Sequence, residues 1–205
     1  MKPSKLSLAE SHPGQEEMLF LRRWLAHPLK VGALLPSSPA LAKLVARNVA
    51  RRPDQAVVEL GAGTGSVTKQ LLKAGIPADR LFVIELDGDL ARFLQRKHPQ
   101  IKVIQGDAGR LSELIPSAWH GRIGTVISGI PMVTLPMPLQ QRIINQAFAV
   151  MAPGGQLLQY TYSLVSPIPE RRLGVKGRRC GIAVANIPPA WVWRYEQTRP
   201  AAAAA

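Results

Sequence analysis

Glu59, Glu85 and Asp107 each stand at or just beyond the end of a short apolar run: AVVEL, LFVIEL and KVIQGD. The first run leads at once into GAGTG, which sets Gly61, Gly63 and Gly65 in a loop ahead of the amphipathic stretch SVTKQLLKAG. Glycines so placed let a ligand approach the backbone closely. The spacing is G-x-G-x-G and not the G-x-G-x-x-G of dinucleotide sites, and Glu59 would repel a pyrophosphate while attracting a cation or an amino group. Glu85 follows Gly61 by 24 residues (85 − 61), a separation at which a carboxylate accepts from both hydroxyls of a ribose. Asp107 then comes within reach of an adenine amino group. Asp87 and Asp89 read as caps of the next helix.

These acids act together only if their strands lie side by side. From Gln55 onward, apolar runs alternate with helical stretches: strands at AVVEL, LFVIEL, KVIQGD, TVISGI and QLLQYTYSL, with helices between them, the last helix stopped by Pro153 and two glycines. That alternation predicts a parallel sheet with right-handed crossovers. GIAVANI and AWVWRY, separated by Pro188 and Pro189, predict a closing antiparallel hairpin. Upstream, QEEMLFLRRWLAH (15–27) reads as an amphipathic helix, and Ser38 caps a further helix from Pro39 in which Leu41, Leu44, Val45 and Val49 face inward.

A ribose, an adenine and a positively charged, phosphate-free tail together describe S-adenosylmethionine. The sequence resembles the class I methyltransferases, whose first motif reads much like VVELGAGTG, over about residues 55–165. The resemblance implies a Rossmann-like α/β fold with a seven-stranded, mostly parallel sheet, a C-terminal antiparallel hairpin and N-terminal helices. It implies cofactor contacts at Glu59, Gly61, Ala62, Gly63, Thr64, Gly65, Glu85, Leu86, Asp107, Ala108 and Ser128, with S-adenosylhomocysteine as product.

The methyl acceptor is read from the residues just after the fourth strand. There SGIPM replaces the Asn/Asp-Pro-Pro-aromatic tetrapeptide of enzymes that methylate planar base nitrogens, and it carries no aromatic to stack on a base. An apolar, kinked loop suits a non-planar amine beside a greasy group. The 15–27 segment, with Arg22, Arg23 and Trp24, has the make-up of an interfacial helix. ERRLGVKGRR holds five cations and one acid in ten residues, and its start is expected to flank the cleft mouth. Together with FLRRWLAHPLKVGALLPSSPALA and NIPPAWVWRY, these stretches resemble the soluble-fold bacterial phosphatidylethanolamine N-methyltransferases over about residues 16–196. The resemblance implies a peripheral enzyme on the cytoplasmic face of the inner membrane that converts phosphatidylethanolamine stepwise towards phosphatidylcholine. It assigns the methyl site to Ser128, Gly129, Ile130, Pro131, Tyr160 and Tyr162, and lipid or membrane contacts to Arg22, Trp24, Lys30, Arg171 and Arg172. No general base stands out; His27 and His120 qualify by type alone.

The chain has 205 residues, enough for one sizeable core. Residues 1–38 are expected to form a membrane-interaction and lid region and 39–199 the methyltransferase domain, with 200–205 an alanine-rich tail. The single cysteine, Cys180, excludes a disulfide framework and fits a cytoplasmic protein. No apolar stretch reaches the ~18 residues of a spanning helix. Lysines and arginines exceed acids by 26 − 13 = 13, a surface that attracts polyanions. An anionic membrane and a phospholipid are the expected partners, with no nucleic acid, no metal and a monomeric state. The rival reading is an rRNA adenine N6-dimethyltransferase, which also explains charge and adenosyl site; a small-molecule amine methyltransferase is a third.

Overall fold

The structure, a computed structural model, describes residues 37–198. The expectations for Arg22, Trp24, His27 and Lys30 lie outside the described residues. Helix α1, Pro39–Asn48, starts where Ser38 Oγ accepts from Leu41 N at 3.2 Å, and proline at the first turn gives up no needed donor. Its buried face carries Leu41, Ala42, Val45 and Ala46.

Seven strands form one sheet in the order β3-β2-β1-β4-β5-β7-β6. They are β1 (Ala56–Leu60), β2 (Leu81–Glu85), β3 (Lys102–Gln105), β4 (Ile123–Ser128), β5 (Met151–Thr161), β6 (Val175–Ala183) and β7 (Ala190–Gln197). The first five are parallel, and β7 runs antiparallel to both β5 and β6. Between them lie α2 (Ser66–Lys73), α3 (Gly88–Lys97), α4 (Leu111–Leu114), α5 (Met137–Val150) and α6 (Glu170–Leu173). Every residue of β1, β2 and β4 is buried. Central parallel strands are covered on both faces, which is why their sequences are nearly unbroken apolar runs and why an acid within one stands out.

The strand order reverses between β1 and β4, because the chain winds outward through β2 and β3 and then returns to the other side of β1. In open α/β sheets a reversal of this kind is where a ligand crevice lies, outside the carboxyl ends of the strands.

Two sequence expectations need correction. The sixth strand begins at Val175, and residues 184–189 form the hairpin turn and not its end. VKGRR escapes a periodicity search because an edge strand tolerates charge where a central strand does not. That shift also moves Arg171 and Arg172. They lie on α6, before the start of β6, and Val175 pairs with Gln197 at the far end of β7. The last residue of β5, Thr161, pairs instead with Trp191 near the start of β7. The basic stretch therefore begins at the end of the hairpin remote from the crevice and does not flank its mouth. A third difference is small: α5 stops at Val150, and Pro153 falls in an irregular start to β5, where the register jumps from Ile123↔Met151 to Thr125↔Gln156.

Candidate functional site

Gly61, Gly63 and Gly65 all have positive φ, at 68°, 57° and 81°. Gly63 is the informative one. A side chain there would touch none of the described residues within 4 Å, so among them the backbone is left uncovered. Its N–H donates to Glu85 Oε2 at 2.9 Å, and Asp87 N–H donates to Glu85 Oε1 at 3.1 Å. Two backbone donors therefore hold the buried carboxylate in one orientation, and each of its oxygens keeps a lone pair for a further donor. Burial raises the Glu85 pKa, and the amides of Gly63, Asp87 and Leu86 work against that rise.

Glu59 is buried in the middle of the sheet and accepts from Thr68 Oγ at 2.6 Å. Burial pushes its pKa up to about 7; the Thr68 bonds oppose the shift, and repulsion from Glu85 adds a smaller increment. A carboxyl so placed takes on full charge readily when a cation arrives beside it. Asp107 caps the short 3-10 turn Ala108–Arg110, with Oδ1 accepting from Gly109 N–H at 2.8 Å. Ala108 is buried beneath it, and Ala62 packs against the core. Thr64 is exposed, and its carbonyl accepts from Lys97 Nζ at 2.9 Å, which ties the glycine loop to α3. Asp87 does cap α3, accepting from Asp89 N–H and Leu90 N–H, whereas Asp89 pairs with Arg92 in the first turn.

Across the crevice, the segment after β4 is pressed against the glycine loop. Gly129 N–H donates to Leu60 O at 2.8 Å. A β-carbon on Gly129 would lie 2.4 Å from Tyr160 Oη and 2.6 Å from Gly61 O, so only glycine fits. Ser128 is buried and its Oγ accepts from Ile130 N–H at 3.3 Å; Ile130 is buried as well, and Pro131 is half-buried. The Tyr160 phenol is bonded to Ser37 just ahead of α1, and burial raises its pKa further above the ordinary tyrosine value, so it stays protonated. Tyr162 shares its side of the sheet, partly buried against the core.

The structure thus brings together Glu59, the glycine loop, Glu85, Ser128 to Pro131 and Tyr160. Sequence reasoning missed three supports. Thr68 holds Glu59. Ser37 holds Tyr160. Gln159 Nε2 donates to the carbonyls of both Ile130 and Tyr160, at 2.9 Å each, and so staples the β4 loop to β5. A glutamine inside the apolar run QLLQY was the available signal for the last. His120 Nε2 lies 3.0 Å from Ile115 O, a local turn contact.

A bound nucleoside sulfonium fits these residues. The backbone at Gly63 and the buried carboxyls of Glu85 and Glu59 offer the close approach, the hydrogen-bond acceptors and the counter-charge that its parts require. Comparison with known proteins agrees. The family model for ribosomal RNA adenine dimethylase matches residues 37–116. Ornithine lipid N-methyltransferase of Singulisphaera acidiphila is 34% identical over 146 residues, covering 70% of this chain and 76% of that protein. Ribosomal RNA small subunit methyltransferase A of Chlorobium chlorochromatii is 42% identical over 72 residues, covering 31% of this chain and 26% of that protein. Among solved structures, a TehB-like SAM-dependent methyltransferase from Corynebacterium glutamicum superposes with a TM-score of 0.56 at 13% identity, over 91% of this chain and all of that one.

Proposed function

The chain belongs to the class I S-adenosylmethionine-dependent methyltransferases, and from that premise we propose that it methylates the headgroup amine of a membrane lipid. Phosphatidylethanolamine and its mono- and dimethyl derivatives are the substrates the sequence favours. One observation carries the reading. The acceptor wall, Ser128 to Pro131 beside Tyr160, is neutral and tightly closed on Gly61, and the loop after β4 carries no aromatic of its own to stack on a planar base. The relative named for a lipid substrate supports it by matching over 76% of its own length, whereas two rRNA methyltransferase relatives match over 26% and 43% of theirs.

In this reading Glu59 pairs with the methionyl ammonium, Glu85 accepts from the ribose hydroxyls and Asp107 from the adenine amine. Gly61 to Gly65, with Ala62 and Thr64, line the tail, and Leu86 and Ala108 flank the nucleoside. The cofactor supplies an electrophilic methyl group and leaves as S-adenosylhomocysteine. The protein's part is placement: Gly129, Ile130 and the Tyr160 ring floor the position from which an amine approaches in line, and positioning supplies most of the rate. An attacking amine needs its lone pair, so each of the first two methylations sheds a proton, which water at the mouth accepts. The faces of Tyr160 and Tyr162 suit the growing cationic character of the nitrogen.

The test supplies methyl-labelled S-adenosylmethionine with three acceptors in turn: anionic vesicles containing phosphatidylethanolamine, vesicles containing ornithine lipid, and ribosomal RNA. Label in a lipid amine is expected, and the first two arms separate the headgroups. Label in RNA alone overturns the proposal.

A further inference from the structure

The hairpin turn between β6 and β7 carries two apolar side chains with no cover: Val184 is 71% exposed and Ile187 78%. Chance exposure of one aliphatic residue is ordinary, but these two have company. Leu164 and Val165, 71% and 68% exposed, come directly after the end of β5, and Val133, half exposed, comes after β4. The register places all five at the same end of the sheet. Thr161 at the end of β5 pairs with Trp191 at the start of β7, and Ala190 pairs with Ala183 at the end of β6. That end is also where the glycine loop leaves β1 and Gly129 leaves β4. The apolar residues therefore form an arc along the acceptor side of the crevice, spanning three strand intervals or about 15 Å.

The turn is a built feature. Asn186 is buried beneath it; its Oδ1 accepts from Ser38 N–H at 3.0 Å and its Nδ2 donates to Pro188 O at 2.8 Å. This anchor holds the backbone while Val184 and Ile187 point outward. Behind the arc sits a cation. Arg179 is exposed, packs over the rings of Trp191 and Trp193 at 4.7 and 5.2 Å, and donates to Leu164 O at 2.6 Å. Residues 177–194, the half of the hairpin towards the tip, hold three bases, Arg178, Arg179 and Arg194, and no acid, within a chain of net charge +13.

We propose that the β6–β7 turn and the loop after β5 dock the protein on an anionic lipid bilayer, with Val184 and Ile187 in the acyl boundary and Arg179 among the phosphates. A rigid apolar tip backed by positive charge is complementary to that surface, which offers apolar depth beneath a negative layer. The proposal rests on the lipid-amine reading and adds to it the surface that turns the crevice mouth towards its substrate.

The experiment uses the full chain and phosphatidylcholine–phosphatidylglycerol vesicles, which contain no amine substrate. Substituting Val184→Asp together with Ile187→Asp is expected to weaken co-sedimentation at least about tenfold. Both side chains are exposed, so unfolding temperature and S-adenosylmethionine binding should match the parent protein. In a second measurement, an environment-sensitive fluorophore on Val184→Cys in a Cys180→Ser background should shift to the blue when these vesicles are added. Unchanged sedimentation, or a fluorophore indifferent to vesicles, overturns the proposal. A fluorophore already blue-shifted without lipid overturns it too, because the tip would then be covered by residues of this chain or by a second copy. The two readings fail separately. A parent protein that methylates lipid while the double variant still sediments loses the docking surface only. One that binds vesicles through the tip but labels no lipid loses the lipid-amine reading only.

Discussion

The two halves of the crevice are built on opposite principles. On the β1–β2–β3 side, three carboxylates are held at strand ends by backbone or hydroxyl donors: Glu59 by Thr68, Glu85 by Gly63 and Asp87, and Asp107 by Gly109. On the β4–β5 side the wall is neutral, and it is shaped by close packing among Gly129, Gly61 O and Tyr160 Oη. The family model for rRNA adenine dimethylase stops at residue 116, before β4 begins. The part this model matches is thus the charged half, whose chemistry fits a shared cofactor. In the proposed reading the β4–β5 half meets the acceptor, and there lipid and nucleic-acid enzymes must diverge. Affinity for S-adenosylmethionine should reside in the first half and turnover in the second, and substitutions on each side put that division to the test.

The largest effect is expected from Glu85→Ala. In the proposed reading it removes the ribose contacts, and it leaves the Gly63 and Asp87 amides without their acceptor, so the dissociation constant for S-adenosylmethionine should rise about 100-fold or more by calorimetry. Vesicle binding should not change. Next comes Gly129→Ala. Its β-carbon would collide with a backbone carbonyl and a phenol held in place, neither of which yields cheaply. Turnover should fall roughly 30-fold while cofactor affinity stays within about threefold. A parallel loss of affinity would show that the two halves are not separable.

Glu59→Gln comes third and has a pH signature. With its pKa near 7, the buried carboxyl is largely protonated at pH 5 and largely charged at pH 8. Cofactor affinity in the parent protein should therefore weaken as pH falls through about 7, and the glutamine variant should be about tenfold weaker at pH 8 and flat with pH. Stability runs the other way. The folded pKa lies above the ordinary value of 4.5, so the folded state binds the proton more tightly. That stabilisation is complete below pH 4.5 and is lost as pH rises through 7. The loss is on the order of 3 kcal/mol. Thermal unfolding of the cofactor-free protein should show Glu59→Gln more stable than the parent at pH 8 and close to it at pH 5. A carboxylate kept at a cost in stability is what a site for a cation requires.

The same contrast explains what the sequence disclosed. Glu85 was legible because charge is costly within a run that is otherwise apolar, Asp107 because it stands just past the next strand in the matching place, and the glycine loop because its spacing is tied to backbone geometry. The parallel order followed from alternation alone. The hairpin was misread at its first strand because VKGRRCGIA lies at a sheet edge and carries no alternation to find. With that boundary wrong, Arg171 and Arg172 were placed at the wrong end of the sheet. Gly129 was recognised by resemblance, but the reason it must be glycine lies in Tyr160, 31 residues further on (160 − 129), and in Gly61, 68 residues earlier (129 − 61). Contacts of that kind carry no local pattern.

The smallest effect offers the finest test of the acceptor wall. Tyr160→Phe keeps the ring that covers Gly129 and removes only the hydroxyl, along with its bond to Ser37. Turnover should drop about threefold, and stability by about 1 kcal/mol, the worth of one partly buried hydrogen bond. The value of the variant lies in combination. The Tyr160 hydroxyl and the Gly61 carbonyl are the two atoms that a β-carbon at residue 129 would approach within 3 Å. Removing the hydroxyl should therefore rescue Gly129→Ala in part: in the phenylalanine background the alanine should cost about fivefold in turnover, against roughly 30-fold alone, a coupling of about 1 kcal/mol. Strictly additive losses in this double-mutant cycle would mean that Tyr160 does not press on Gly129 in solution. The neutral wall would then owe its shape to the backbone of the two loops, with the phenol only a bystander.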